Sequence, residues 1–190
     1  MAFILARDQP LDHRSYLLAC DGCCAVQLQQ EKDPEEWGID VPHLQDAMRK
    51  AGIEFVRAEV VDFDPHSLRK MLPHAAHVIA TQLAQQRRVY VHCTAGLGRA
   101  PAACIAYLYW FQQMGLDGAY QHVTKIRPCG PKRESVRGAT FDMLDGRGWE
   151  DFYELPEDAW SELDTEQYKE IQHRLISSEQ LRAQPQLSRR

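Results

Sequence analysis

The chain has 190 residues, a mass of 21.8 kDa and 44% hydrophobic residues, which fits one domain with an ordinary buried core. Its formal net charge is -5 at pH 7, so it lacks the broad positive surface of proteins that bind nucleic acids or anionic membranes. The longest apolar stretches, such as residues 100–111, fall short of the ~20 residues that cross a bilayer. We therefore expect no nucleic-acid partner and no membrane span.

The six cysteines are irregularly spaced, at positions 20, 23, 24, 93, 104 and 129. This spacing is not typical of a secreted disulfide framework. Cys20 and Cys23 form a short Cys-x-x-Cys, but no second pair of ligands follows at a comparable spacing, as a zinc site would need. The sequence therefore predicts buried or redox-capable thiols, with no metal and no cofactor.

The first half of the chain alternates between strand and helix patterns. Residues 24–29 alternate apolar and polar positions, and residues 53–61 indicate a second strand. From Pro65 to Leu83 the apolar residues recur at helical spacing, and Pro73 predicts a kink or break in that helix. Residues 88–92 then indicate a short buried strand.

The second half is predicted to be helical. Residues 100–114 are almost wholly apolar, which indicates a central helix, and Pro101 suits its first turn. Further helices are expected over 117–126, 132–144 and 165–181. The order of strands and helices predicts an α/β fold, with a central, mostly parallel sheet flanked by helices.

The most informative segment is His92-Cys-Thr-Ala-Gly-Leu-Gly-Arg-Ala-Pro101, between a buried strand and a buried helix. A loop in this position can aim successive backbone N–H groups at one point, next to the positive end of the helix. Its glycines allow the required backbone conformations, and Arg99 supplies a planar fork that matches phosphate oxygens. The predicted phosphate-binding residues are Thr94, Ala95, Gly96, Leu97, Gly98 and Arg99.

Cys93 lies at the entrance of this loop, where backbone dipoles and Arg99 would stabilise a thiolate. A thiolate that faces a bound phosphoryl group is a nucleophile, so the loop combines binding with covalent chemistry. It is not a Walker loop, because Ala100 stands where Gly-Lys-Ser/Thr would be needed. The alternative is a buried cysteine beside a glycine turn.

The segment His92-Cys93-x5-Arg99 resembles the signature of cysteine-dependent tyrosine and dual-specificity phosphatases. The resemblance implies a cysteinyl-phosphate intermediate and an acid that protonates the leaving alkoxide. Asp62-Phe63-Asp64, 31 residues before Cys93, resembles the acid loop of that class. Asp62 is the candidate acid, and it could also deprotonate the attacking water. A helix N-cap before Pro65 is the alternative role, and we expect Asp64 to fill it.

The chain further resembles the plant and algal glucan phosphatases of the starch-excess and like-starch-excess group. Most dual-specificity phosphatases carry Ser or Thr after the signature arginine, whereas Ala100 agrees with the glucan group. The other segments that agree are 28–33, 36–40, 106–111, 127–131 and 137–140. The resemblance implies the dual-specificity phosphatase fold. We expect an atypical lead-in over 1–23, the phosphatase domain over 24–148 and a C-terminal helical extension over 149–190.

Glucan recognition calls for aromatic faces beside the phosphate loop. The resemblance assigns Trp37 and Phe63 to the walls of the active-site channel. Phe63 is expected to meet substrate, because it stands beside Asp62 in an exposed loop. The aromatic residues Trp149, Phe152 and Trp160 are further candidates for glucan contact, with packing onto the core as an equal alternative.

By resemblance the substrate is phosphorylated starch or glucan, with the C3 phosphate of glucosyl units as the preferred position. A chain of this length leaves no room for a carbohydrate-binding module, which indicates the like-starch-excess type, and we expect a monomer. The resemblance implies the chloroplast, although no transit peptide is visible; the alternative location is the cytoplasm. The alternative functions are a dual-specificity protein phosphatase and an inactive glucan-binding scaffold.

Overall fold

The computed structural model describes residues 2–5, 22–36, 38–146 and 149–183. Within these ranges the strands are β1 (Ala2–Leu5), β2 (Cys23–Gln27), β3 (Ile53–Arg57) and β4 (Arg88–His92). They form a sheet in the order β1-β4-β2-β3. β2 pairs in parallel with both β3 and β4, whereas β1 is antiparallel to β4. The prediction of a mostly parallel central sheet is therefore confirmed.

Helices occupy most of the remaining described chain. Their bounds are α1 Lys32–Glu36, α2 Val41–Lys50, α3 Pro65–Ala84, α4 Arg99–Trp110, α5 Leu116–Ile126, α6 Arg133–Leu144, α7 Trp149–Phe152 and α8 Thr165–Ala183. Every residue of α4 is buried, which agrees with its almost continuous apolar sequence. None of the described helices has the length and apolarity required to cross a bilayer.

We expected a kink or a break at Pro73; α3 runs through this proline without interruption, so the break is wrong. A proline inside a helix removes one backbone hydrogen bond and crowds the preceding turn. Packing offsets this cost, because α3 lies against α4 and α6. Buried residues occur on both sides of the proline, including Leu72, Ala76 and Ile79. The burial of α3 in the folded protein thus outweighs the unfavourable effect of Pro73 on the helix.

α4 ends at Trp110, four residues before the predicted end at Met114. The chain turns there: Gln113 has a φ of 53°, a left-handed conformation that cannot continue a helix. The amide of Met114 donates a hydrogen bond of 3.2 Å to the carbonyl of Leu108, which closes the turn. The apolar composition alone did not predict that α4 ends at Trp110, because the turn contains no glycine before Gly115.

The C-terminal helix α8 covers the predicted 165–181 helix and packs on α6, α3 and α4. Its residues Tyr168, Ile171 and Leu175 are buried in the main core cluster. The sequence did not predict β1, α1, α2 or α7. Most of the predicted lead-in, residues 6–21, lies outside the described residues.

Candidate active site

Residues of the candidate site follow the carboxyl ends of the three parallel strands. Cys93 comes directly after β4, Asp62 follows β3, and Asp33 follows β2 within α1. Two backbone hydrogen bonds extend the ladder past the strands, from Leu28 N to His92 O and from Ala58 N to the carbonyl of residue 27, both 2.8 Å. Parallel strands end at one edge of a sheet, and this edge is where α/β proteins place their ligands.

A cleft of about 630 Å³ opens at this edge. It brings together the three predicted catalytic residues Cys93, Arg99 and Asp62. Cys93 is 5% exposed at its base. The other residues that line the cleft are Val61, Phe63, Asp64, Pro65, Leu68, Ala95, Leu97, Gly98, Pro128, Cys129, Gly130, Lys132 and Ser135.

The signature loop, residues 93–99, takes the conformation that its glycines permit. Gly96 has a φ of 69°, which a residue with a Cβ rarely adopts. Gly98 is the N-cap of α4 and no side chain caps this helix end, so its positive end is left to the loop. The segment after α5 supports the loop from outside. Arg127 Nη2 donates to Ala95 O at 3.1 Å, and Gly130 N donates to Leu97 O at 3.0 Å.

Arg99 is 4% exposed and is held by four oxygen atoms. Its Nη1 donates to Asp33 Oδ2 at 2.6 Å and to Val60 O at 3.1 Å. Its Nη2 donates to Thr94 Oγ1 at 3.0 Å and lies 3.1 Å from Asp62 Oδ2. The predicted cation and the predicted acid are thus ion-paired.

Asp33 is a buried carboxylate beside Arg99, 6% exposed. Burial by itself raises the pKa of Asp33, but hydrogen bonds from Arg99 and Gln30 outweigh it and hold the pKa below its usual value. Asp33 lies within segment 28–33, which agrees with the glucan phosphatases, but the sequence alone indicated no role for it. The available signal was its position just past a strand that is parallel to the strand before Cys93.

The acid loop is fixed to the start of α3. Asp64 is the N-cap, and its Oδ1 accepts hydrogen bonds from His66 N at 2.8 Å and Ser67 N at 3.0 Å, so the predicted capping role is confirmed. Val61 N donates to Ser67 Oγ at 2.9 Å. Because Asp64 is the N-cap, Asp62 takes no part in capping α3. Its side chain is 39% accessible in the cleft.

Phe63 is 95% exposed and has a φ of 58°. A left-handed conformation is rare for a bulky residue and costs roughly 1–2 kcal/mol. No core packing offsets this cost, since the ring lies almost wholly in solvent at the rim of the cleft. The rim also exposes Val61 and Leu97, which are 45% and 50% accessible. The cleft therefore has an apolar mouth.

The C-terminal aromatic candidates lie elsewhere. Phe152 is 5% exposed, and the guanidinium groups of Arg69 and Arg137 lie 4.9 and 5.3 Å from its ring centre. Trp160 is half-buried and packs edge-on against Phe141 at 6.5 Å. Neither aromatic residue lines the cleft. This is the packing alternative that the sequence left open, and glucan contact by either residue stays a prediction.

Two other candidates cannot be placed. Trp37 lies outside the described residues, as does the side chain of Trp149 at the start of α7. Their roles therefore remain predictions.

The cysteines of the described ranges are free thiols. Burial is the largest influence on Cys24, whose pKa rises to about 12, and it also raises the pKa of Cys104. Such groups stay protonated, whereas a metal ligand must be a thiolate. Across the described residues no group of three or more His, Cys, Asp or Glu is arranged to hold a metal ion.

The sequence did not reveal three features in or around the cleft: the Asp33 carboxylate, the support by Arg127 and the wall formed by Lys132 and Ser135. The Ser135 hydroxyl is buried without a hydrogen-bond partner. A nucleophile, an oriented guanidinium and a carboxyl group within one cleft can carry out phosphoryl transfer through a covalent intermediate.

The sequence matches the family described as "dual specificity phosphatase, catalytic domain" over residues 26–137. It is 34% identical over 119 residues to phosphoglucan phosphatase LSF1, chloroplastic, of Arabidopsis thaliana, and 39% identical over 121 residues to phosphoglucan phosphatase DSP4, amyloplastic, of Castanea sativa. Each match covers 63% of this chain but only 20% and 32% of the respective relative, so the chain spans a third or less of their lengths.

A comparison of structures finds the same fold. The crystal structure of PTPMT1 superposes with a TM-score of 0.53 at 20% identity, covering 86% of this chain and 87% of that one. At this identity the likeness concerns the fold alone. The family match spans more than half of the chain and includes Cys93, Arg99 and Asp62. The chain therefore belongs to the dual specificity phosphatase family.

Proposed function

We propose that this protein is a cysteine-dependent phosphatase that removes phosphate monoesters from glucosyl residues of starch or a related glucan. The observation that carries the proposal is one cleft that combines Cys93, Arg99 and Asp62 with the solvent-exposed ring of Phe63. The first three residues supply phosphoryl transfer. The fourth supplies an apolar face of the kind that stacks on a sugar ring.

In the first step, the Cys93 thiolate attacks phosphorus and a phosphorus–sulfur bond forms. The bond between phosphorus and the sugar oxygen breaks, and protonated Asp62 gives its proton to that leaving oxygen. Arg99 and the amides of the signature loop stabilise the charge on the transferring phosphoryl group. The products are the dephosphorylated glucan and a cysteinyl-phosphate.

In the second step, a water molecule attacks the cysteinyl-phosphate while Asp62, now ionised, takes its proton. The phosphorus–sulfur bond breaks, inorganic phosphate leaves and the thiolate is restored. Ala100 provides no hydroxyl to assist the departing thiolate. The positive end of α4 and the loop amides must stabilise it instead.

The walls of the cleft support a sugar substrate. Among the lining residues in the described part of the chain, Lys132 is the lone cation apart from Arg99, whereas Val61, Phe63 and Leu97 present apolar surface at the mouth of the cleft. A phosphopeptide groove would be expected to offer more polar or basic walls. The names of the two phosphoglucan phosphatase relatives support the same substrate class.

The finer assignments are part of the same proposal. By resemblance Trp37 is assigned, with Phe63, to the walls of the channel, the C3 phosphate is the preferred target, and the protein acts as a monomer in the plastid. The plastid assignment draws on the chloroplastic and amyloplastic relatives. Release of phosphate from amylopectin labelled separately at C3 and C6 tests the position, and light scattering tests the monomer.

The main test measures phosphate release from solubilised phosphorylated starch by the wild type and by Cys93→Ser. We expect release by the wild type and none by the variant. Asp62→Asn should lose most activity on starch, which has a poor leaving group, and much less on para-nitrophenyl phosphate, which needs little acid assistance. Turnover of phosphotyrosine peptides without release from starch would instead assign a protein phosphatase. Glucan binding without any turnover would assign a scaffold.

A further inference from the structure

A chain of buried polar side chains runs from the central strand β2 to Arg99. Gln27 Nε2 donates to Gln29 Oε1 at 2.9 Å, and Gln29 Nε2 donates to Thr94 Oγ1 at 3.1 Å. The Thr94 hydroxyl donates to Asp33 Oδ2 at 3.2 Å. Gln27, Gln29 and Asp33 are each less than 9% exposed. Asp33 lies at the end of this chain, and the hydrogen bonds that its carboxylate accepts from Thr94 and Arg99 hold it in place.

The two carboxylates that contact Arg99 differ in their freedom to move. The Asp33 side chain is 7% exposed and receives hydrogen bonds from Gln30, Thr94 and Arg99. The Asp62 side chain is 39% exposed and contacts Arg99 through Nη2 only. An incoming ligand can therefore displace Asp62 without displacing Asp33.

The charges favour this exchange. Arg99 carries one positive charge against two carboxylates, so the occupied cleft cannot keep both acids in contact with Arg99 beside a phosphate dianion. A phosphate bound at Nη2 would replace Asp62 there and leave Asp62 to face the leaving oxygen that it protonates. Asp33 stays on Nη1, where Val60 O also accepts a hydrogen bond.

We propose that Asp33 is a positioning residue, which holds the Nη1 end of Arg99 so that the Nη2 end exchanges Asp62 for the phosphoryl group during each turnover. The inference rests on the proposed phosphatase function and assigns a role to a residue outside the signature loop. Asp33 touches neither the substrate nor the reacting atoms. The lowered pKa of Asp33, which follows from the hydrogen bonds of Arg99 and Gln30 overcoming burial, agrees with a permanent ionic contact.

A positioning role predicts a separation between turnover and binding. Asp33→Asn keeps the shape of the side chain but removes its charge, so Arg99 is held less firmly while its attraction for phosphate is no longer offset by Asp33. These two effects oppose each other in ground-state binding. In the transition state the in-line geometry is decisive, and a misplacement of about 1 Å can cost about 100-fold.

The experiment measures kcat and KM for para-nitrophenyl phosphate and the Kd for inorganic phosphate by titration calorimetry. We expect Asp33→Asn to lower kcat by about 10- to 100-fold while the phosphate Kd changes by less than about threefold. Asp33→Glu keeps the charge but moves the carboxylate by one methylene, so we expect an intermediate loss of about three- to tenfold. Asp46→Asn removes an exposed, ion-paired carboxylate on α2 and should leave all three constants unchanged.

Thermal unfolding of each variant accompanies the kinetics. A kcat within about twofold of the wild type in a cooperatively folded Asp33→Asn protein would overturn the proposal. So would parallel losses of kcat/KM and phosphate affinity, which would make Asp33 a binding residue. If Asp33→Asn does not fold, Asp33→Glu carries the test, and wild-type kcat would then refute the role. Absence of any hydrolysis by the wild type, with phosphate still bound, would refute the proposed function instead.

Discussion

Replacement of Phe63 by alanine separates recognition of glucan from phosphoryl transfer. The ring is 95% exposed, so its removal deletes no core contact and should leave the melting temperature unchanged. The φ of 58° persists with alanine, whereas Phe63→Gly would relieve it. The larger conformational freedom of unfolded glycine offsets that relief, so neither variant is expected to be destabilised.

The expected loss of affinity follows from the area that a sugar can cover. Stacking on one face of the ring would bury roughly 80 Å² of apolar surface, which at about 25 cal/mol/Å² amounts to about 2 kcal/mol. This free energy corresponds to about a 30-fold change in affinity. We therefore expect Phe63→Ala to raise KM for phosphorylated starch by about 10- to 30-fold.

The assay compares phosphate release from starch with hydrolysis of para-nitrophenyl phosphate, which is too small to require a sugar platform. Turnover of the small substrate should stay within about twofold of the wild type, because Cys93, Arg99 and Asp62 are untouched. Ile176→Ala is the matched control: it truncates another exposed apolar residue, 47% accessible on α8 and outside the cleft. An unchanged KM for starch, or an equal loss on both substrates, would refute the assignment of Phe63 as a sugar platform.

Three further predictions concern stability. Burial lowers the pKa of His92 from 6.5 to about 4, so between these values the unfolded chain binds a proton that the folded chain does not. The contribution of His92 to the free energy of unfolding should therefore fall by about 3 kcal/mol from pH 7 to pH 4, and in urea unfolding across that range a His92→Asn variant should lose less stability than the wild type by about this amount. Loss of the N-cap in Asp64→Ala should cost about 1 kcal/mol, measurable by urea unfolding at pH 7, and a loss below 0.3 kcal/mol would contradict the capping role. In Gly138→Ala, the new Cβ would lie 2.9 Å from Arg69 Cδ. Two hydrogen bonds to Asp142 fix the Arg69 guanidinium, so the side chain cannot easily move away. We therefore expect about 1–3 kcal/mol of destabilisation in thermal unfolding.

The parts of the fold that the sequence predicted are those with a strong local pattern. The predicted bounds of β4 and of the start of α4, on either side of the signature loop, agree with the structure to within one residue. They were predictable because a short apolar run, two glycines and an apolar helix follow one another. Asp64 was also recognisable as an N-cap from its place before Pro65. Of the kink or break expected at Pro73, the break was wrong. The local sequence shows only the penalty of a proline inside a helix, whereas packing of α3 against α4 and α6 outweighs that penalty.

The sequence by itself predicted the chemistry that we propose for this protein: the order Cys93, two glycines and Arg99 between a strand and a helix already indicates phosphate binding and a nucleophile. Only the tertiary structure decided which distant residues complete the site. Asp33 lies 66 positions from Arg99 yet pairs with it at 2.6 Å, because parallel pairing of β2 with β4 brings their carboxyl ends to one edge. Phe63 and Phe152 are the same residue type, and only packing separates the exposed ring from the buried one.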